Sequence, residues 1–311
     1  MQNRIKIKYF IGFLVIAGVG YFFVREFYKN YDSIFQYEFN IKWFYLLTAL
    51  FLTILLSLVG TYSWKLLLAI IKKDKNISFK ESIAIVNTTQ LTKYLPGKVW
   101  SYAFQMILLS KKGFSKTIVL YANLFLMLSS LFASTFLGLL YFSCFSHSNK
   151  KVWILLFLAF LIGYSGFVIF NQYCLKIVIK IAQILFKKTI NYSYINVGWI
   201  ILFQFMFLLV NAIFGLTGYF LALGLSFSVG LNDIFVISAS LIISDMIGFI
   251  ILIVPGGLGV REGVMFALLQ ALGNKNLSLI LPIGTRIIGM ISDVILGGIG
   301  FYIIKIRKLF D

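Results

Sequence analysis

The chain has 311 residues, of which 60% are hydrophobic, 18% aromatic and 12% charged, with a mean hydropathy of +0.95. That balance excludes a soluble globular domain, which could not keep so much apolar surface in water. The formal charge of +18 does not indicate nucleic acid either, because the Lys and Arg residues sit in short clusters at the ends of apolar runs rather than on one basic face.

A window of about 20 residues, the helix length that crosses a bilayer core, predicts apolar segments at 8–24, 43–71, 82–109, 117–142, 152–170, 195–225, 234–272 and 277–304. The first is flanked by charge and lacks a small-residue cleavage site, so it is expected to be a retained span rather than a signal peptide. The stretches 82–109 and 234–272 are each interrupted by a Pro-Gly pair, Pro96-Gly97 and Pro255-Gly256. Cys144 and Cys174 end different apolar runs with no metal spacing and read as packing residues, and His147 reads as a loop residue. Residues 172–188 place Lys176, Lys180 and Lys187 among apolar residues. They form either an amphipathic helix at the inner interface or a solvated extension of the fifth span.

Charge sorts the connections. Lys and Arg cluster before the first span, after the second (Lys72, Lys73, Lys75, Lys80), after the first interrupted stretch (Lys111, Lys112, Lys116), after the fifth span and at the C-terminus. These ends are expected to be cytoplasmic, while 25–42 and 226–233 face outward. Each interrupted stretch then begins and ends on one side, the first inside and the second outside. The predicted fold is an all-α polytopic integral membrane protein of six full spans plus two Pro-Gly broken, re-entrant hairpins, with both termini cytoplasmic.

Two of the three prolines fall at corresponding places in the two halves. Each half reads as a long span, a Pro-Gly hairpin and another span, with the hairpins opening to opposite sides. This is an inverted repeat, the architecture of alternating-access transporters. The chain is therefore divided as a single membrane domain: first span and outer loop 1–42, repeat one 43–142, linking span and amphipathic helix 143–194, repeat two 195–311.

The stretch 253–263, I-V-P-G-G-L-G-V-R-E-G, is the centre of the functional reading. Pro255 removes an amide donor, and Gly256, Gly257 and Gly259 lower helix propensity and admit left-handed backbone, so no helix runs through unbroken. In hydrocarbon, unsatisfied backbone groups cost several kcal/mol each, so a break there needs protein or a wet cavity around it. The alternative is an ordinary loop at the membrane surface. Ionisable residues gather nearby in sequence: Asp245 before the break, Arg261 and Glu262 at its end, and Arg286 and Asp293 on one face of the last span. Such residues at membrane depth mark substrate or ion pathways. A guanidinium suits a lipid phosphate because its planar fork holds two oxygens and stays charged. The competing account makes Arg286 with Asp293, or Arg261 with Asp245, buried pairs that fix helix packing.

No Walker sequence, Cys-x-x-Cys or nucleophile elbow is present, so neither a nucleotide nor another cofactor is expected. V-P-G-G-L-G-V-R-E-G at 254–263 resembles the most recognisable motif of the lysylphosphatidylglycerol synthase transmembrane-region family, the flippase-like membrane half of the multiple peptide resistance factor. Y-L-P-G-K-V-W at 94–100 is similar to its first-half counterpart, with Lys98 the nearest cation because 101–105 supplies no arginine. The resemblance implies a short form without the soluble synthetase domain, moving a phospholipid, a lipid-linked sugar or a polyprenyl phosphate across the bacterial inner membrane. It also implies a transporter rather than an enzyme. The expected substrate contacts are Lys98, Pro255, Gly256, Gly257, Gly259, Arg261, Glu262 and Arg286, with Asp245 and Asp293 as coupling or ion-pair residues. Enzymes of surface-glycan synthesis are the expected protein partners. The alternatives are a membrane-embedded transferase acting on a lipid or lipid-linked sugar, and a non-catalytic partner of such an enzyme.

Overall fold

The computed structural model describes residues 40–72, 76–94, 100–145, 154–165, 195–251 and 257–307, with single positions at 151, 173, 176, 177 and 180. The expected first span, Pro96 to Lys98, Pro255, Gly256, His147, Cys174 and most of 172–188 lie outside the described residues. Those described form helices: α1 Trp43–Ile71, α2 Phe79–Gln90 running into a 3-10 turn at Leu91–Tyr94, α3 Trp100–Lys111, α4 Lys116–Phe145, α5 Ile154–Ser165, α6 Val197–Gly224, α7 Asp233–Ile250, α8 Val260–Leu269 and α9 Lys275–Arg307. Among the described residues no strand occurs.

Five helices, α1, α4, α6, α7 and α9, are long and apolar enough to cross a membrane. The chain is a multi-pass membrane protein. Four of the five coincide with expected full spans. The fifth, α7, is the first arm of the second interrupted stretch, and its 18 residues reach about 27 Å at 1.5 Å per residue, close to the hydrocarbon thickness. By contrast α2 and α3, of 12 residues each, reach only about 18 Å apiece. Large apolar side chains such as Phe44, Phe51, Ile162, Val294 and Tyr302 are exposed on these helices, as expected of surfaces that face lipid.

The described residues fall into two compact units, one within Met1–Ile54, Thr92–Lys98 and Ala212–Ser292, the other within Leu55–Leu91, Val99–Asn211 and Asp293–Asp311. In the first, a core of Ala49, Tyr219, Leu221, Ile237, Leu241, Met265, Leu269, Leu277 and Leu281 joins α6, α7, α8 and the start of α9. Small residues let these helices approach closely: a Cβ at Gly215 would lie 2.6 Å from Ser238 Cβ. The amide of Lys42 donates to the Gly224 carbonyl at 2.9 Å, and the Ser226 hydroxyl donates to the carbonyl of Asn40. The start of α1 and the end of α6 therefore lie together, satisfying backbone groups that a helix end leaves open.

In the second unit, Trp64, Leu67, Leu68, Ile85, Leu109, Ile118, Phe125 and Phe203 form the core. The helix α2 begins with a capping box, in which the Ser78 side chain accepts from the Glu81 amide and the Glu81 carboxylate accepts from the Ser78 amide. Part of its polar face is satisfied by protein: Ser57 donates to Asn87 Oδ1 at 3.2 Å, and Gln105 Nε2 donates to Thr89 at 3.1 Å. Lys112, just past α3, forms an ion pair with Glu81, so α2 starts where α3 ends.

Candidate functional site

The helix α7 ends at Ile250 and α8 starts at Val260, with Gly257 at φ +70° and Gly259 at φ +78° between them. The break expected from Pro255 and the glycines is present, and the two described glycines take the backbone that side chains resist. It delivers Arg261 and Glu262 to the first turn of α8. A carboxylate is favoured there, next to the unsatisfied amides of a helix N-terminus, and a cation is not. Arg261 accordingly leaves its own helix end and reaches back over α7, where its Nη1 lies 2.8 Å from Asp245 Oδ1.

A missing side chain opens that route. A Cβ at Gly248, one turn beyond Asp245, would lie 2.2 Å from Arg261 Cγ, and one at Gly257 would lie 3.2 Å from Arg261 Cγ and Cδ. The stem of Arg261 thus occupies a slot between two glycines. The sequence reading did not single out Gly248. Its spacing of three from Asp245, which puts the two on one helical face, is the signal that could have found it.

Glu262 lies deeper, with the residue 7% exposed. Its Oε1 accepts from Arg286 Nη1 at 2.5 Å, and Arg286 itself keeps 15% of its side-chain surface. The pairing of Arg286 with Asp293 considered above is therefore corrected. Two helical turns, about 10.5 Å of rise, separate those residues along α9, whereas Glu262 approaches Arg286 from the neighbouring helix. Asp293 belongs to the other compact unit, where it is half-buried.

The bond between Glu262 and Arg286 uses only half of each group. Among the described residues Glu262 Oε2 and Arg286 Nε are buried and have no hydrogen-bond partner, in a region where unsatisfied polar atoms are costly. Both residues line a cavity of about 10 Å³ together with Ser244, Arg261, Met265, Pro282 and Thr285, which is room for about one water. Ser244 donates to the Leu241 carbonyl at 2.9 Å and Thr285 to that of Pro282 at 2.8 Å. Ser244, Met265, Pro282 and Thr285 were not among the expected site residues. Pro282, inside α9, is the third proline of the chain and the one that the comparison of halves left out.

The structure thus brings together Asp245, Gly257, Gly259, Arg261, Glu262 and Arg286 from the expected set. Lys98, Pro255 and Gly256 lie outside the described residues. Among the described residues no group of three His, Cys, Asp or Glu is placed to hold a metal. The arrangement offers two guanidiniums, each held by one carboxylate, at a break in a membrane helix.

The sequence profile of the lysylphosphatidylglycerol synthase TM region matches residues 9–297. The chain belongs to this family. No curated protein and no solved structure matches it. The matched range contains both Pro-Gly breaks and every expected site residue, so the ion pairs around α8 lie within the part of the chain that is a lysylphosphatidylglycerol synthase TM region. They do not belong to an appendage.

Proposed function

We propose that this lysylphosphatidylglycerol synthase TM region is a flippase-like transporter that moves a phospholipid, or a lipid-linked sugar or polyprenyl phosphate, across the bacterial inner membrane during cell-envelope or surface-polysaccharide synthesis. The observation that carries this reading is the cavity shared by Arg261 and Arg286. Each guanidinium is held by a single carboxylate, which an incoming phosphate can replace with two oxygens at once. A carboxylate escort keeps each cation neutralised at membrane depth while the site is empty.

In this reading α2 and α3 are the arms of a re-entrant hairpin and α7 and α8 those of its inverted counterpart. With the first span and the one that includes α5, six full spans result and both termini face the cytoplasm. The order α1, α2–α3, α4 against α6, α7–α8, α9 supports the repeat. The test is exposure of fluorescent phosphatidylglycerol in proteoliposomes that contain only this protein. Bleaching of inner-leaflet label by a membrane-impermeant reductant is expected, and label that stays as protected as in empty vesicles would overturn the reading.

A further inference from the structure

The cavity at the α7–α8 break holds a carboxylate with one oxygen paired and the other unused. Glu262 is 7% exposed, and its Oε2 is buried with no donor. Among the described residues its hydrogen-bonded cation is Arg286, held through Oε1 at 2.5 Å. We propose that Glu262 is a proton-binding site that alternates with the lipid phosphate. When the phosphate takes Arg286, Glu262 accepts a proton on Oε2 from water entering the cavity, and when the lipid departs the proton is released and the ion pair re-forms. The inference rests on the transporter reading and adds its coupling ion.

With Arg286 neutralised by phosphate, an ionised Glu262 would stay buried beside a second anion, and a buried carboxylate without a cation neutralises by taking up a proton. Among the described residues that line the cavity, one other cation is present. From α9 the charged neighbour in the cavity is Arg286; from its own helix it is Arg261, already bound to Asp245 of α7. The part of α6 at 212–224 carries Tyr219 as its one titratable group, and a phenol brings no positive charge.

A sodium ion does not fit the same place. The lining includes two guanidiniums, one carboxylate oxygen without a donor and two hydroxyls in about 10 Å³. A hard cation would need about six oxygen ligands and would face two positive charges. A proton needs one oxygen and no added volume.

The experiment uses the purified full chain in weakly buffered detergent with a pH-indicator dye, titrated with short-chain phosphatidylglycerol or a short polyprenyl phosphate, and with short-chain phosphatidylcholine as the zwitterionic comparison. Binding of an anionic lipid is expected to take up one proton per chain, and Glu262→Gln is expected to bind without uptake. Infrared difference spectra of the wild type should show a protonated-carboxyl band on lipid addition, a readout that holds even if the variant folds poorly. Lipid binding without proton uptake or the carboxyl band overturns the inference and leaves the transporter reading standing. Absence of binding by either anionic lipid overturns both. Uptake that persists in a folded Glu262→Gln variant assigns the proton elsewhere and also overturns the inference.

Discussion

At position 248 a methyl group would occupy the space that the Arg261 stem now fills, 2.2 Å from its Cγ. The nearest obstructing atom is Cγ, at the root of the Arg261 side chain, so Gly248→Ala is expected to turn Arg261 away from Asp245 and to lower abundance as well. Lipid exposure in proteoliposomes, normalised to the protein reconstituted, should fall severalfold. Unchanged transport would show that Arg261 acts without Asp245. In Gly257→Ala the Cβ would meet the Gly248 carbonyl at 3.0 Å, and the φ of +70° there costs a side chain about 1–2 kcal/mol, so abundance should drop here too. At Glu262 the expectation follows from burial. Glu262→Leu alone strands Arg286 and should cost about 3–5 kcal/mol, whereas Glu262→Leu with Arg286→Met removes both charges and should recover much of that stability. Protein level is therefore expected to fall in the single variant and return in the double, with transport lost in both. Full transport by the double variant would leave the pair a purely structural role. The partner of Arg286 was not legible in the sequence, because spacing reveals which residues share a face of their own helix and Glu262 arrives from another one.

At the scale of the element, the entry to α2 carries the clearest pH dependence. Burial alone would push the Glu81 carboxyl up, but the hydrogen bond from Lys112, with those from the Ser78 amide and hydroxyl, outweighs it and holds the group below its ordinary value. A carboxyl with a lowered value in the folded state contributes stability that is fully present above its unfolded value of about 4.3 and is lost as pH falls through the folded one. Thermal melting in detergent should therefore show wild type above Glu81→Gln at neutral pH, with the two converging in acid. A constant gap across that range would exclude the linkage. Ser78→Ala, which removes the cap, should cost about 1 kcal/mol. The second break was legible in the sequence because Gly257 and Gly259 force the chain locally. The capping box is equally local, but the apolar window opens that stretch at Ser82, past both Ser78 and Glu81. The 18-residue length of α7 was less legible, because an apolar run gives no sign of where a helix stops when Pro255 lies several residues further on. Packing between elements was also hidden. A Cβ at Gly300 would lie 2.4 Å from Thr88 Oγ1 and 3.3 Å from the Ala84 carbonyl, and only the fold shows that α2 passes that close to α9.

For the molecule as a whole, charge clusters assign sides and the structure supplies independent pairings of chain ends. The backbone bonds of Asn40 and Lys42 with Ser226 and Gly224 join two ends that charge sorting places outside. The ion pair of Glu81 with Lys112 joins two ends that it places inside. Between these groups runs α1, whose 29 residues reach about 43 Å, more than the hydrocarbon core, so Asn40 and Asn76 are expected to label from opposite sides of the membrane. The bonds and the helix length are symmetric to inversion of the whole protein. Only the excess of Lys and Arg beside Ile71 and Lys111 decides which face is cytoplasmic. Single cysteines on a background lacking Cys144 and Cys174 separate the outcomes when intact cells meet a membrane-impermeant thiol reagent. Cysteines at Asn40 and Asn232 are expected to label, and those at Asn76 and Lys111 to label only after the cells are opened. The reverse pattern would keep every contact described and invert the orientation. Labelling of Lys111 from outside while Asn76 stays protected would separate two ends that the Glu81–Lys112 pair holds together, and would overturn the first hairpin.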